Sequence, residues 1–99
     1  MARFDIFKLE GEAGYLLDIQ SDLLSGLNTR VVVPLLSKPS APSPAQRLNP
    51  VFSIDGQELV MATQYMAAVP AGELRSAAGN LAENQDEISA ALDMLFLGF

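Results

Sequence analysis

Hydrophobic positions in this chain first fall in short, partly alternating runs and then, from residue 84 onward, at helical spacing. Segments 3–8 and 15–20 are rich in Phe, Ile and Leu. The loop 9–14 between them carries two glycines and two acids, which predicts a hairpin. Segment 30–36 reads Arg30-Val31-Val32-Val33-Pro34-Leu35-Leu36 and is apolar on both faces, unlike a half-exposed antiparallel strand. Pro34 removes one ladder donor, so the expectation is a bulge or an edge strand near a boundary between protomers. Segments 50–54 and 57–67 flank Asp55-Gly56, the signature of a two-residue type I′ turn. The stretch 37–45 holds three prolines and three serines and reads as a loop. Residues 69–81, rich in Ala and Gly, read as irregular with room for one short helical turn.

The terminal helix is the clearest element. Asn84 is a favoured N-cap, Glu87 would complete a capping box, and Asp86 and Glu87 suit the positive end of the helix dipole. Ile88, Ala91, Leu92, Leu95 and Phe96 then follow the i, i+3, i+4, i+7, i+8 pattern of a core-facing stripe. Met94-Leu95-Phe96-Leu97 covers the whole circumference of the last turn, with Met94 and Leu97 off the stripe, and Gly98 is placed to leave the helix with a positive φ. A helix burying one face needs only a stripe, so part of this surface is expected to meet another molecule. The plainer alternative is a frayed end packed on its own barrel. Together these elements predict a single domain spanning 1–99, mainly β with one C-terminal α-helix laid across a small, partly open barrel.

Composition narrows the possible functions. With 49% hydrophobic and 18% charged residues, the chain is globular and retains enough apolar surface to favour an oligomer or an obligate partner. A net charge of -6 and six scattered basic residues argue against gripping a nucleic-acid backbone. The absence of cysteine gives no disulfide framework, and the chain begins without a signal-peptide pattern, which fits a cytoplasmic protein. No apolar run approaches the ~20 residues of a membrane span, so no membrane association is expected.

Catalysis finds little support. Without histidine or cysteine, a general base near neutral pH would have to be a buried carboxylate, and a nucleophilic serine would lack its usual partner. No catalytic, metal or cofactor residues are assigned. Asp18, Gln20 and Asp22 alternate as in an oxygen-ligand loop, but the glycine and bidentate glutamate of a calcium site do not follow, and an Asx-type turn is the better reading. Glu83, Asp86 and Glu87 read as dipole compensation, Tyr15 and Tyr65 as half-buried strand residues.

Three segments in order resemble the CcdB family of toxins, which poison bacterial DNA gyrase in toxin-antitoxin modules. They are Gln20-Ser21-Asp22-Leu23-Leu24 with Arg30-Val31-Val32-Val33-Pro34-Leu35; Leu48-Asn49-Pro50-Val51 with Met61-Ala62-Thr63 and Met66-Ala67-Ala68-Val69-Pro70; and Ile88, Ala91 and Leu95-Phe96-Leu97-Gly98-Phe99. The resemblance implies an SH3-like barrel of the CcdB/PemK type with a C-terminal helix, a homodimer, a CcdA-like antitoxin and the gyrase A subunit as target. It implies that Phe96, Leu97, Gly98 and Phe99 face gyrase, and that Leu23, Leu24 and Asp93 lie on the antitoxin-binding surface. The chain departs from the pattern at Leu97, where the family has tryptophan, and at Asp93, where it has a neutral amide. Leucine lacks the π face that a guanidinium stacks upon.

Two other readings stand beside this one. An endoribonuclease resembling the MazF or PemK toxins would call for a basic RNA groove, which an acidic chain does not supply. A non-toxic interaction domain would use the tail only to hold protomers or an antitoxin.

Overall fold

The computed structural model describes residues 2–9, 13–43 and 45–99. Its strands are β1 (Asp5–Lys8), β2 (Gly14–Asp18), β3 (Thr29–Leu36), β4 (Val51–Ile54), β5 (Gln57–Met61), β6 (Ala67–Pro70) and β7 (Gly79–Asn80), followed by the helix α1 (Gln85–Leu97). All pairings are antiparallel, in the order β4-β5-β3-β2-β1-β7, with β6 also beside β3. This is a β half-barrel with one C-terminal helix, as the sequence pattern predicts.

The alternation of side chains sets up two faces. Ile6, Leu17, Val33 and Leu35 point to the main core, which Ile88 and Ala91 of α1 close. Their neighbours Phe7 and Val32 pack on the other face with Leu74 and, at the edge, Leu16 and Val69. Both faces of β3 are therefore covered within one protomer, which accounts for its continuous apolar sequence.

The expectation of an edge strand is corrected. β3 is central, paired with β2 on one side and, on the other, with β6 along Thr29–Val32 and β5 at Leu35 and Leu36. The carbonyl of Pro34 accepts from the Ala62 N–H at 2.9 Å, so its missing donor also faces that side, where β5 has ended and β6 has yet to begin. Proline is tolerated at the joint between two partner strands, and nothing about β3 calls for a second protomer.

The expected strand 57–67 is likewise broken. Thr63–Tyr65 form a 3-10 turn between β5 and β6. Thr63 is buried with its hydroxyl donating to the Leu48 carbonyl, and Asn49 donates through Nδ2 to the Met61 carbonyl at 2.9 Å and to Gln64 Oε1 at 2.7 Å. The Leu48-Asn49 motif thus braces the jog by which the chain moves from one half of β3 to the other.

Other details of the pattern fare unevenly. Asp55 and Gly56 both have positive φ, 52° and 76°, as a type I′ hairpin demands. The β1–β2 hairpin forms, although its loop tip at 10–12 lies outside the described residues, as does position 44 of the proline-rich loop. Ala71–Glu73 supply the short helical turn expected within 69–81. Tyr65 is exposed on its 3-10 turn, and Tyr15 is buried beyond the half-burial expected. Its hydroxyl donates to Asp55 Oδ2 at 3.1 Å; burial first, then the bond to and charge of Asp55, raise its pKa above the ordinary value near 10.

Candidate partner-binding surface

Helix α1 begins where the pattern places it, but the capping box does not form. A 3-10 turn, Ala82–Asn84, leads directly into the helix, holding Asn84 at φ −105°, ψ 17° rather than in the extended geometry that aims a cap side chain inward. Asn80 instead secures the start of that 3-10 turn: its Oδ1 accepts from the Ala82 N–H at 2.8 Å while Nδ2 donates to Asp5 Oδ1 at 2.9 Å.

The stripe divides along the helix axis. Ile88 and Ala91 are fully buried, Leu92 and Leu95 partly so, and Phe96 is 67% exposed. Beyond it Leu97 is 60% and Phe99 73% exposed. Gly98 takes φ 81°, ψ 10°, and its N–H bonds the carbonyls of Asp93 and Met94, a left-handed C-cap that turns Phe99 away from the helix. An apolar terminus is thereby held in a defined orientation and left uncovered.

A second apolar element stands near it. The turn Asp22–Leu24 exposes Leu23 (94%) and Leu24, and Leu27 follows a few residues on. Leu24, Leu27, Met66, Leu92, Asp93 and Phe96 line an open groove of about 590 Å³ between this turn and the C-terminal half of α1. The structure therefore brings together Leu24, Asp93 and Phe96 from the sequence-assigned set. Leu23, Leu97, Gly98 and Phe99 lie outside the lining and extend the exposed apolar surface.

Leu27, Met66 and Leu92 were missed as site residues. The spacing of Leu92 marks it as core, against which it does pack in part, and Met66 belongs to a motif that carries the resemblance without an assigned role. For Leu27 the only signal was a third leucine in a turn-rich connection.

Behind the turn lies a polar network. Asp18 and Arg30 are both buried, with Arg30 Nε donating to Asp18 Oδ2 at 2.8 Å and Nη2 2.6 Å from the same oxygen. The other carboxylate oxygen accepts from the Gln20 N–H at 3.0 Å, which is the expected Asx turn. Asp22 Oδ1 accepts from the Arg3 N–H at 2.8 Å. Asp18 thus serves ion pairing and turn formation while Asp22 holds the N-terminal segment, and no cluster of three potential metal ligands occurs among the described residues.

A cavity of equal volume on the opposite face is lined by Phe7, Lys8, Leu16, Glu73 and Arg75 and mixes charge with apolar surface. No helix among the described residues is long and apolar enough to cross a membrane.

The fold is thus a β half-barrel closed by one helix, with an exposed apolar helix end beside an exposed leucine turn. The family model for CcdB protein matches residues 3–98, and the chain belongs to the CcdB family, the toxins of toxin-antitoxin modules.

Proposed function

We propose that this protein is a gyrase-directed toxin of a type II toxin-antitoxin pair, acting by protein contact without catalysis. The end of α1, from Phe96 to Phe99, would enter the dimer of gyrase A subunits, and a CcdA-like antitoxin would neutralise the toxin over Leu23, Leu24 and Asp93. The observation that carries this reading is the exposed tail itself: Phe96 and Leu97 left in water on the last helical turn and Phe99 just past its Gly98 cap. Burying each is worth about 1.5 to 3 kcal/mol, a strong incentive for a partner.

We further propose a cytoplasmic homodimer. The support comes from the uncovered leucines and phenylalanines of the turn and tail, since β3 satisfies its own apolar faces. Light scattering at tens of micromolar should show a dimer, and a monomer there would remove this part of the proposal.

The test of the target is a supercoiling and DNA-cleavage assay with purified gyrase, comparing the wild-type protein with a form lacking residues 97–99. Inhibition by wild type and none by the truncation is expected; equal behaviour would show that the tail does not engage gyrase. Leu97, where the family pattern carries an aromatic ring, favours one alternative, an interaction domain whose tail binds only the antitoxin or a second protomer. That alternative is met if antitoxin capture survives while gyrase is untouched by wild type.

A further inference from the structure

Residues 21–29 are all exposed, and the Asp22–Leu24 turn buries none of its side chains. Leu23 is 94% exposed, and Leu24 and Leu27 each keep about half of their surface in water, at 49% and 52%. Leucines so placed lower their free energy by collapsing onto the nearest apolar surface, which here is Leu92 and Phe96 across the groove. Something must oppose that collapse.

The opposing ties are polar. Ser21 Oγ and the carbonyls of Ser21 and Asp22 bond only within the turn, and the Leu24 carbonyl accepts there from the Leu27 N–H. Among the described residues, two hydrogen bonds connect positions 21–27 to the rest of the molecule. Gln20 Nε2 donates to the Leu24 carbonyl at 3.0 Å, and Asp22 Oδ1 accepts from the Arg3 N–H at 2.8 Å. Gln20 is itself buried, with Oε1 accepting from the Val31 N–H of β3 at 3.1 Å and its own N–H on Asp18, which the buried Arg30 holds.

This geometry needs an amide at position 20. The Val31 N–H requires an oxygen and the Leu24 carbonyl requires an N–H donor, and a neutral side chain offering both at once across that span is glutamine. A carboxylate could satisfy Val31 but would face the Leu24 carbonyl with no proton to give.

We propose that Gln20 and Asp22 are positioning residues forming a polar latch that holds the leucine turn away from Phe96 and so keeps that ring free for the gyrase A dimer. The latch acts through the turn; its link to toxicity rests on the function proposed above.

The test uses the full chain and two readouts. The first is nuclear Overhauser contact between the Leu24 and Leu27 methyls and the Phe96 ring in the free protein, and the second is inhibition of gyrase supercoiling. Asp22→Ala removes one tie at an exposed site, Asp22→Asn keeps the acceptor, and Gln20→Glu keeps the Val31 bond while losing the Leu24 bond. Asp22→Ala and Gln20→Glu should each bring the methyls onto the ring and raise the concentration for half-inhibition about fivefold, the effect of roughly one hydrogen bond. Asp22→Asn should match wild type in both. If Gln20→Glu fails to fold, the two Asp22 variants decide the question. Methyl-ring contacts in Asp22→Ala equal to those of wild type would overturn the latch. Contacts that change as expected, with gyrase unaffected even by wild type, would keep the latch and discard the gyrase reading.

Discussion

The two halves of helix α1 share an apolar composition and meet opposite fates. In the first half Ile88 and Ala91 face the sheet and vanish from solvent; in the last turn Phe96 and Leu97 stand in water. The difference lies in what is opposite each. Ile88 meets the inner faces of the strands, whereas by residue 96 the helix has reached the groove beside the Leu24 turn. Hydrophobic side chains on a regular stripe thus stabilise the fold where the sheet continues beneath them. Past that point the same chemistry serves recognition.

The comparison breaks most sharply by separating stability from activity. Deleting residues 97–99 should abolish gyrase inhibition while shifting unfolding free energy by no more than about 1 kcal/mol, because no buried contact is lost. Ile88→Ala should do the reverse, costing about 2 to 5 kcal/mol in denaturant unfolding while leaving the tail in place in the folded fraction. A truncation that unfolds the domain would show that the two halves are not separable.

Leu24→Asp probes the far wall of the groove. A charge on this exposed turn should leave the melting temperature near its wild-type value but eliminate antitoxin capture in calorimetry, because an unfolded segment depends on continuous apolar contact to offset its ordering cost. Retained affinity would place the antitoxin elsewhere.

Leu97→Trp sharpens the reading of the tail. Two added stacking contacts per dimer at ~1 kcal/mol each should lower the concentration for half-inhibition of gyrase roughly tenfold to thirtyfold. No gain would mean that position 97 contributes volume and not stacking.

The smallest effect concerns Tyr15, in the core rather than on the exposed tail. Its folded-state pKa is raised, so the folded chain holds the proton more tightly than the unfolded chain. That contribution is fully present below the ordinary tyrosine value and is lost as pH rises through and beyond it. Unfolding monitored from pH 7 to 11 should show a flat stability profile giving way to a decline above about pH 10. Tyr15→Phe should soften the decline.

Much of this was legible because it is local. Asp55-Gly56 announced its turn through the positive φ that few residues accept, and Gly98 announced its cap for the same reason. The helix stripe gave its register from spacing alone. Other features depended on residues far apart in sequence. Asn84 looks like a cap, but the preceding 3-10 turn, itself secured by Asn80, sets its backbone in a geometry that does not cap the helix. Pro34 looked like an edge marker because the jog between β5 and β6 is visible only once both strands lie beside β3.

The sequence by itself determined the mainly β class with the first two hairpin strands, β3 and the Asp55-Gly56 hairpin, the helix with its overloaded last turn, and the family, since periodicity, turn chemistry and ordered motifs are properties of neighbouring residues; it did not show the break between β5 and β6 or the short β7. Only the tertiary structure decided that Asp18 neutralises Arg30, that Gln20 ties Leu24 to β3, and that Leu27, Met66 and Leu92 share a groove with Phe96. Those pairings join segments separated by loops. Side-chain alternation and spacing say which face a residue takes, while the packing of the sheet and helix decides which other residues it meets there.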